Sequence, residues 1–164
     1  MGRRCDQSQC GRWTAGMTTY SETRIIAAPS ETVFDLVADV ERYPEFLPLW
    51  SNVRVFRRRG TVYYTEQEVG MGPIHQRFHT RTALMRPERI EVTSTDRNFR
   101  HFHINWDFAE VPDGCRIHIA LRWEVRSWLL QRAVDMVLAE TSRAMVDAFE
   151  RRAKQTVVAA GRVS

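Results

Sequence analysis

The stretch that decides the fold is VADVERYPEFLPLW, residues 37–50. Just upstream of it, apolar residues recur at the spacing of one helix face, and Pro29 lies where a first helical turn tolerates a missing N–H. We therefore predict a helix that starts near Pro29. The apolar positions that define its inner face are Val33, Leu36, Val37 and Val40.

The second half of this stretch is too apolar for an ordinary solvated loop. Pro44 and Pro48 each remove a backbone donor and bias the preceding residue away from the helical region, so the helical period stops after Glu41. Burying a large apolar side chain is worth roughly 1.5–3 kcal/mol, so we expect the segment to be docked. It is either a loop that caps the core or a lid over an apolar cavity. Its apolar side chains are Tyr43, Phe46, Leu47, Leu49 and Trp50.

Residues 53–126 predict several strands, and residues 18–28 predict one more at the beginning of the fold. Because the connections are short, successive strands should pair antiparallel. The turn-forming residues between them lie at positions 59–60, 70–73, 86–88, 97–98 and 112–114.

The last two predicted strands alternate most clearly between apolar and polar residues. If Pro112 and Asp113 form the centre of a tight turn, the register between the strands follows. A slip of one residue would mix the apolar and polar faces, whereas a slip of two residues would keep them. The expected pairs are Trp106 with Ile119, Ile104 with Leu121, Phe102 with Trp123, Asp107 with His118 and His101 with Glu124.

One long helix is predicted from residue 127 to about residue 155, because this stretch has no Gly or Pro and Ser127 can cap it. Met136 is expected near its inner side. A sheet curled around this helix would bury both apolar faces and leave a cavity between them. The predicted inner face of the helix comprises Leu130, Val134, Val137, Thr141, Met145, Ala148 and Phe149.

Length and composition favour one domain without a membrane span. The chain has 164 residues and no run of 18 apolar residues. Only Lys154 among its 24 basic residues is a lysine, and the net charge of +4 is far from that of a typical nucleic-acid-binding protein. Residues 1–16 are predicted to be a disordered extension, and Met17 is an alternative start of translation.

Two runs, YSETR at residues 20–24 and VADVERYPEFLP at residues 37–48, resemble the coenzyme Q-binding proteins of the START-like (polyketide cyclase/dehydrase) superfamily. The pattern Asp-Val-x-x-Tyr-Pro-x-Phe-Leu-Pro is fairly specific to that branch. Weaker similarity extends from about residue 17 to residue 157. The family often has Trp or Gly directly after the second proline, whereas Leu49 intervenes here, so the tip of the lid is expected to fit a different head group.

The resemblance implies an α+β fold of the helix-grip type (START-like, Bet v 1-like), with a curved antiparallel sheet around a long C-terminal helix. It implies a START-like lipid-binding domain over residues 17–157, followed by a flexible tail at 158–164. The implied ligand is a polyprenyl quinone such as ubiquinone, bound with no catalytic residue, metal or further cofactor. The predicted ligand-binding residues are Tyr43, Phe46, Leu47, Pro48, Trp50, Phe78, Thr80, Phe102, Trp106, Phe108, Trp123, Val137, Thr141 and Met145.

The polar residues that could perform chemistry mostly face outward in this arrangement. His101 and His103 lie on the polar face of their strand, and His75 and His79 share a face with arginines, so surface ion pairing is favoured over a metal site. The expected inward polar groups are Gln76, Thr80 and Thr82. The alternation of the strand at residues 61–69 is too weak to assign a face to Glu66 and Glu68.

Three functions follow from these observations. The first is a quinone carrier or chaperone, cytoplasmic and peripheral to the inner membrane, that delivers its ligand to respiratory or quinone-biosynthetic enzymes and contacts the membrane through Arg57, Arg58 and Arg59. The second is an enzyme of the polyketide cyclase/dehydrase type, which requires an inward acid/base pair. The third is a ribosome partner, because a bacterial branch with the same Tyr-Pro-x-Phe-Leu-Pro signature is known as ribosome-association toxins.

Overall fold

The fold consists of seven strands and three α-helices in the part of the chain that is described. A computed structural model describes residues 16–161, without the side chains of residues 71, 74 and 137–140. The predicted N-terminal extension therefore lies outside the described residues, except for Gly16. In chain order the elements are β1 (Thr18–Ile26), α1 (Ser30–Ala38), a 3₁₀ turn (Val40–Arg42), α2 (Tyr43–Phe46), β2 (Trp50–Arg59), β3 (Val62–Met71), β4 (Ile74–Met85), β5 (Arg89–Thr93), β6 (Phe99–Val111), β7 (Gly114–Val125) and α3 (Trp128–Gly161).

All seven strands form one antiparallel sheet in the order β1-β7-β6-β5-β4-β3-β2. The predicted register of the last two strands is confirmed, because Trp106 pairs with Ile119, Phe102 pairs with Trp123 and Asp107 pairs with His118. Each predicted turn lies between two strands of this sheet. The alternating pattern thus defined both the pairing partner and the face that each side chain occupies.

The helix predicted to start near Pro29 is confirmed as α1, with Pro29 as its N-cap residue. The following segment was expected to be non-helical, and this was wrong in part, because it contains a 3₁₀ turn and the single turn of α2. Pro44 lies in the first turn of α2. Backbone N–H groups in a first turn have no acceptor within the helix, so the missing N–H of proline costs no hydrogen bond there. The Leu47 N–H closes the turn by donating to the Tyr43 carbonyl at 2.8 Å.

Helix α3 begins as predicted and ends later than predicted. The Ser127 hydroxyl accepts a hydrogen bond of 3.3 Å from the Leu130 N–H, so Ser127 caps the helix. At the other end α3 is helical as far as Gly161, the last described residue, because no Gly or Pro interrupts the chain between Ser127 and Gly161. The expectation that Met136 lies near the inner side is wrong, since its side chain is 68% exposed. None of the helices in residues 16–161 is long and apolar enough to cross a bilayer.

The core lies between the concave face of the sheet, α1 and the second half of α3. Ion pairs at its edge hold α3 against the first strand: the Arg24 guanidinium contacts Glu22 at 2.6 Å, Glu150 at 3.3 Å and also the Asp147 carboxylate. The buried apolar residues that α3 contributes are Val146, Ala148, Phe149 and Ala153.

Candidate ligand-binding site

Two adjoining apolar chambers lie between the sheet and α3. The outer chamber has a volume of about 140 Å³ and the inner one about 80 Å³. They adjoin because both are bordered by Trp50, Phe78, Phe102, Ile104, Leu121 and Met145. The outer chamber reaches the surface beside Leu49, Asn98 and Leu130, whose side chains are exposed or half-buried.

The lid segment, residues 43–50, is docked over the inner chamber by an aromatic cluster. Tyr43 lies at its centre, with its ring 5.9 Å from those of Phe46 and Trp50 and 5.3 Å from that of Phe149 on α3. The Tyr43 hydroxyl donates to the Val37 carbonyl at 2.6 Å. Leu47 is 1% exposed and borders the inner chamber. Edge-to-face contacts of this kind each add about 0.5–1.5 kcal/mol to the burial of the rings, so the lid is a packed part of the structure.

A neutral hydrogen-bonded cluster lies on the strands below the lid. The Gln67 side-chain amide donates to the Thr65 and Thr80 hydroxyls, each at 3.1 Å, and these hydroxyls contact each other at 2.7 Å. The Trp50 indole N–H in turn donates to the Gln67 side-chain oxygen at 2.8 Å. Because every member has a partner, the cluster can be buried at low cost.

Two buried polar atoms in the walls differ from this cluster, the Thr82 hydroxyl oxygen at the inner chamber and the Trp123 indole nitrogen at the outer chamber. The indole N–H of Trp123 is buried and has no hydrogen-bond partner among the described residues. Its ring is 3% exposed and borders the outer chamber. An unsatisfied buried donor costs about 1–3 kcal/mol, and an acceptor atom on a ligand in this chamber would remove that cost.

The tyrosine hydroxyls at the inner chamber stay protonated at physiological pH. Burial raises the pKa of Tyr63 to about 12, and burial also raises the pKa of Tyr43 well above its usual value. The Tyr63 hydroxyl donates to the Ala38 carbonyl at 2.9 Å. Both hydroxyls thus donate to backbone carbonyls of the α1 region and are engaged in holding the structure.

Glu66 and Glu68, whose orientation the sequence did not decide, face away from the chambers. Glu66 lies 3.3 Å from His79 and 3.6 Å from Arg54, while Glu68 pairs with Arg77. His75 and His79 are exposed, as predicted. Among the described residues that border the two chambers there is no carboxylate, imidazole or amine.

Most of the predicted ligand-binding residues lie in the chamber walls. Those that the structure places there are Tyr43, Leu47, Trp50, Phe78, Thr80, Phe102, Trp106, Trp123 and Met145.

The other predicted residues lie elsewhere or outside the description. Phe46 packs against Phe149 at 5.2 Å and beneath Arg152, so it holds the lid from outside, and Pro48 is exposed. Phe108 packs against Phe34 at 5.4 Å, beyond the wall formed by Trp106. Thr141 is half-buried on α3, and the side chain of Val137 lies outside the described part of the chain.

The sequence analysis did not identify the β3 contribution, which consists of Tyr63, Thr65 and Gln67. The missing signal was the register of β3 with β4. Thr65 pairs with Thr80 and Gln67 pairs with Phe78, and residues paired across an antiparallel ladder share a face. Because Phe78 and Thr80 were already assigned inward, the turn at residues 72–73 would have been enough to place Gln67 beside them.

The predicted membrane contacts Arg57, Arg58 and Arg59 are exposed at the end of β2, the last strand of the sheet. The Arg58 guanidinium lies 5.0 Å from the centre of the Tyr63 ring, and that of Arg57 lies 6.0 Å from the centre of the Tyr64 ring. None of the three borders either chamber. Their role in membrane contact stays a prediction.

Comparison with known proteins gives matches over most of the chain. The chain is 32% identical over 139 residues to the ribosome association toxin RatA of Pseudomonas aeruginosa, which covers 84% of this chain and 96% of that protein. It is 27% identical over 139 residues to the mitochondrial coenzyme Q-binding protein COQ10 homolog B of Xenopus laevis, covering 82% of this chain and 57% of that protein.

Solved structures and a family description agree with the fold. The crystal structure of the Zhui aromatase/cyclase from Streptomyces sp. R1128 superposes with a TM-score of 0.77 at 18% identity, covering 88% of this chain and 98% of that one. This likeness confirms the predicted helix-grip (START-like, Bet v 1-like) fold. Residues 26–150 match the family described as polyketide cyclase / dehydrase and lipid transport. The chain therefore belongs to the START-like polyketide cyclase/dehydrase and lipid transport family.

Proposed function

We propose that this protein binds a polyprenyl quinone, such as ubiquinone, and carries it for respiration or quinone biosynthesis without chemically changing it. The observation that carries the proposal is the outer chamber. Its walls are aromatic and aliphatic, and they contain one buried donor, the Trp123 N–H, that lacks a partner among the described residues. The similarity to a coenzyme Q-binding protein supports the same ligand class.

The quinone ring suits the outer chamber for chemical reasons. Phe78, Phe99 and Phe102 supply aromatic surface, with ring centres 4.8–5.8 Å apart. A quinone carbonyl is a neutral acceptor, so it can bind the Trp123 N–H without bringing a charge into an apolar site. Each buried methylene of the isoprenoid tail adds about 0.8 kcal/mol.

The size of the chambers limits how much of the ligand they enclose. Drug-sized ligands occupy sites of about 300–1,000 Å³, whereas the outer chamber measures about 140 Å³ and the inner one about 80 Å³. We therefore place the ring inside and a long tail through the opening beside Leu49, Asn98 and Leu130. A carrier that leaves the tail partly outside would act at a membrane surface, which for this ligand is the inner membrane.

Ribosome association is the second candidate function. It is supported by the 32% identity to RatA, whose name states that association. It does not account for the apolar chambers, because recognition of ribosomal RNA depends on phosphate contacts and exposed bases. Ribosome association predicts co-sedimentation with ribosomal subunits that weakens as the salt concentration rises, whereas the carrier function predicts no co-sedimentation.

An enzyme of the cyclase/dehydrase type receives less support. Acid/base catalysis needs an ionisable group within reach of the substrate. The described wall residues supply only neutral polar groups, namely amides, hydroxyls and indole N–H groups, and the hydroxyls of Tyr43 and Tyr63 donate to backbone carbonyls. We therefore infer a carrier.

The test is extraction of the purified protein with organic solvent, followed by mass spectrometry and a redox-sensitive ultraviolet spectrum. A stoichiometric polyprenyl quinone, either co-purified or acquired from quinone-loaded liposomes, is the expected result. A protein that stays free of quinone after exposure to such liposomes contradicts the proposal.

A matched pair of variants locates the binding site. Ile104 and His103 are neighbours on β6, but Ile104 borders both chambers and His103 lies on the opposite face of the sheet. Ile104→Trp should fill the cavity and abolish quinone loading, while His103→Trp should leave it unchanged. Equal loading of both variants would place the quinone elsewhere.

A further inference from the structure

We propose that the amino-terminal end of α3 docks on an anionic lipid surface. The surface in question, here the α3 docking face, comprises Trp128, Leu129 and Met136 together with Arg126 and Arg132. It lies apart from the arginines at the end of β2. Three observations support it: unpartnered apolar side chains, uncompensated positive charge at a helix N-terminus, and continuity with the opening of the outer chamber.

The apolar side chains of this face are unusually exposed. Trp128 is 71% exposed, Leu129 66% and Met136 68%. Trp128, Arg132 and Met136 are spaced four residues apart, so they lie on one side of α3. A tryptophan, aliphatic side chains and arginines on one helix face form the pattern of helices that lie in a membrane interface.

The basic side chains of this face lack carboxylate partners within the described residues. Arg126 donates to the Arg97 carbonyl at 2.8 Å, and neither Arg126 nor Arg132 forms an ion pair with a described residue. The two carboxylates nearby are engaged by the protein. Glu124 lies 3.3 Å from Arg100, and Asp135 accepts a hydrogen bond of 2.9 Å from Gln131.

The position of these arginines is unfavourable without an external anion. The amino end of a helix carries a partial positive charge, so nearby cations destabilise it and anions stabilise it. Helix α3 has no acidic residue in its first turn, while Arg126 precedes that turn and Arg132 follows it. Lipid phosphates would compensate both arginines and the helix terminus.

The docking face is continuous with the opening of the outer chamber. Leu130 and Val134 border that chamber from the same turns of α3 that expose Leu129 and Met136. Val125 borders both the chamber and the groove formed by Trp128 and Arg132. Docking would therefore set the opening against the bilayer. The passage of a ligand from the chamber into the bilayer rests on the proposed quinone-binding function, whereas the docking itself does not.

A lipid surface explains this face better than an RNA does. Phosphates of either partner would satisfy the arginines, and a base could stack on Trp128. The side chains of Leu129 and Met136, however, gain free energy only where apolar surface leaves water, as it does at the acyl boundary of a bilayer. Ribosome binding is therefore an outcome that would contradict the proposal.

The experiment is flotation of the full chain with vesicles of phosphatidylcholine, with and without phosphatidylglycerol. We expect binding only to the anionic vesicles. Replacing Arg126 and Arg132 with Gln should weaken binding about fivefold for each arginine, from about 1 kcal/mol per basic residue near the surface. Leu129→Ser with Met136→Ser should abolish binding, whereas Arg81→Gln with Arg116→Gln, at exposed strand positions outside either arginine cluster, should leave it unchanged.

Fluorescence identifies the residue that enters the lipid. The emission of the wild-type protein should shift to the blue with anionic vesicles, and Trp128→Phe should lose most of this shift while keeping flotation. Wild-type flotation that the α3 variants leave intact, or α3 variants that lose only co-sedimentation with ribosomal subunits, would overturn the proposal. Quinone loading in detergent tests the carrier function separately, because it needs no vesicle.

Discussion

The indole N–H of Trp50 donates a hydrogen bond of 2.8 Å to the side-chain oxygen of Gln67. This bond joins the end of the lid segment to the polar cluster of Gln67, Thr65 and Thr80 in the wall. Trp50 also contacts Tyr43 edge to face, with ring centres 5.9 Å apart. The lid is thus held by a specific polar contact as well as by apolar burial, and loosening it should affect both stability and ligand retention.

Replacing Trp50 with Phe should lower the free energy of unfolding by about 1–3 kcal/mol, because the Gln67 oxygen is left buried without a donor. Urea denaturation measures this change. In a double-mutant cycle, Gln67→Met should remove part of the penalty, since it replaces the orphaned amide with an apolar side chain. Strictly additive effects of the two substitutions would mean that the contact contributes nothing.

Leu47 and Pro48 are neighbours in the lid segment with opposite environments. Leu47 is buried at 1% exposure, whereas Pro48 is exposed. Leu47→Ala should therefore destabilise the protein by about 2–5 kcal/mol, the range for large-to-small changes in a core. Pro48→Ala should stay within about 0.5 kcal/mol of wild type. Similar urea midpoints for both variants would show that the lid is not packed as described.

Gly114 is required by close backbone packing at the turn between β6 and β7. Its φ is +132°, and a Cβ there would lie 2.2 Å from the Ile26 carbonyl oxygen. Gly60 also has a positive φ, +56°, but a Cβ there meets nothing within 4 Å. Gly60→Ala should cost about 1–2 kcal/mol from backbone conformation alone. Gly114→Ala should cost clearly more, as measured by thermal unfolding, because β1 must also move away from β7.

The elements of the fold could be predicted where the sequence alternates or repeats cleanly. The register from Phe102 to Trp123 followed from apolar alternation and a single turn, and α3 followed from its uninterrupted helical pattern and its Ser127 cap. Superfamily membership followed from the motif at residues 37–48. In each case a local pattern was sufficient.

The parts of the site that escaped prediction depend on tertiary contacts. Charged and polar residues alternate on β3, so the inward position of Gln67 becomes visible only through its pairing with Phe78. Phe46 is as apolar as the wall residues, yet it packs outside the chambers because Phe149 and Arg152 meet it there. Met136 was expected near the inner side of α3, but its side chain is exposed, and the buried apolar residues of α3 among those described lie in its second half.

The ion pairs between β1 and α3 predict how stability depends on pH. The hydrogen bond from Arg24 lowers the pKa of Asp147 below its usual value. An unfolded chain protonates this carboxyl near its ordinary pKa of about 3.9. The contribution to stability is therefore present in full above about pH 4 and is lost as the pH falls from there through the lowered folded-state pKa.

Asp147→Asn tests this dependence. The variant should be less stable than wild type at pH 7, and the difference should shrink as the pH falls below 4. Asp113, in the turn between β6 and β7, makes no ion pair with a described residue and serves as the control. Asp113→Asn should not change the pH profile of the urea midpoint. An Asp147→Asn deficit that persists at low pH would assign the effect to packing.

The unpartnered N–H of Trp123 gives the most direct test of how a ligand is recognised. If a quinone carbonyl accepts this hydrogen bond, Trp123→Phe removes a contact worth about 0.5–1.5 kcal/mol, so the Kd for a short-tailed benzoquinone should rise roughly two- to tenfold. The matching alkylbenzene has no carbonyl, and its Kd should change less. Titration calorimetry with both ligands separates the lost hydrogen bond from the change in wall shape, because an equal loss for both would mean that the N–H plays no part in recognition.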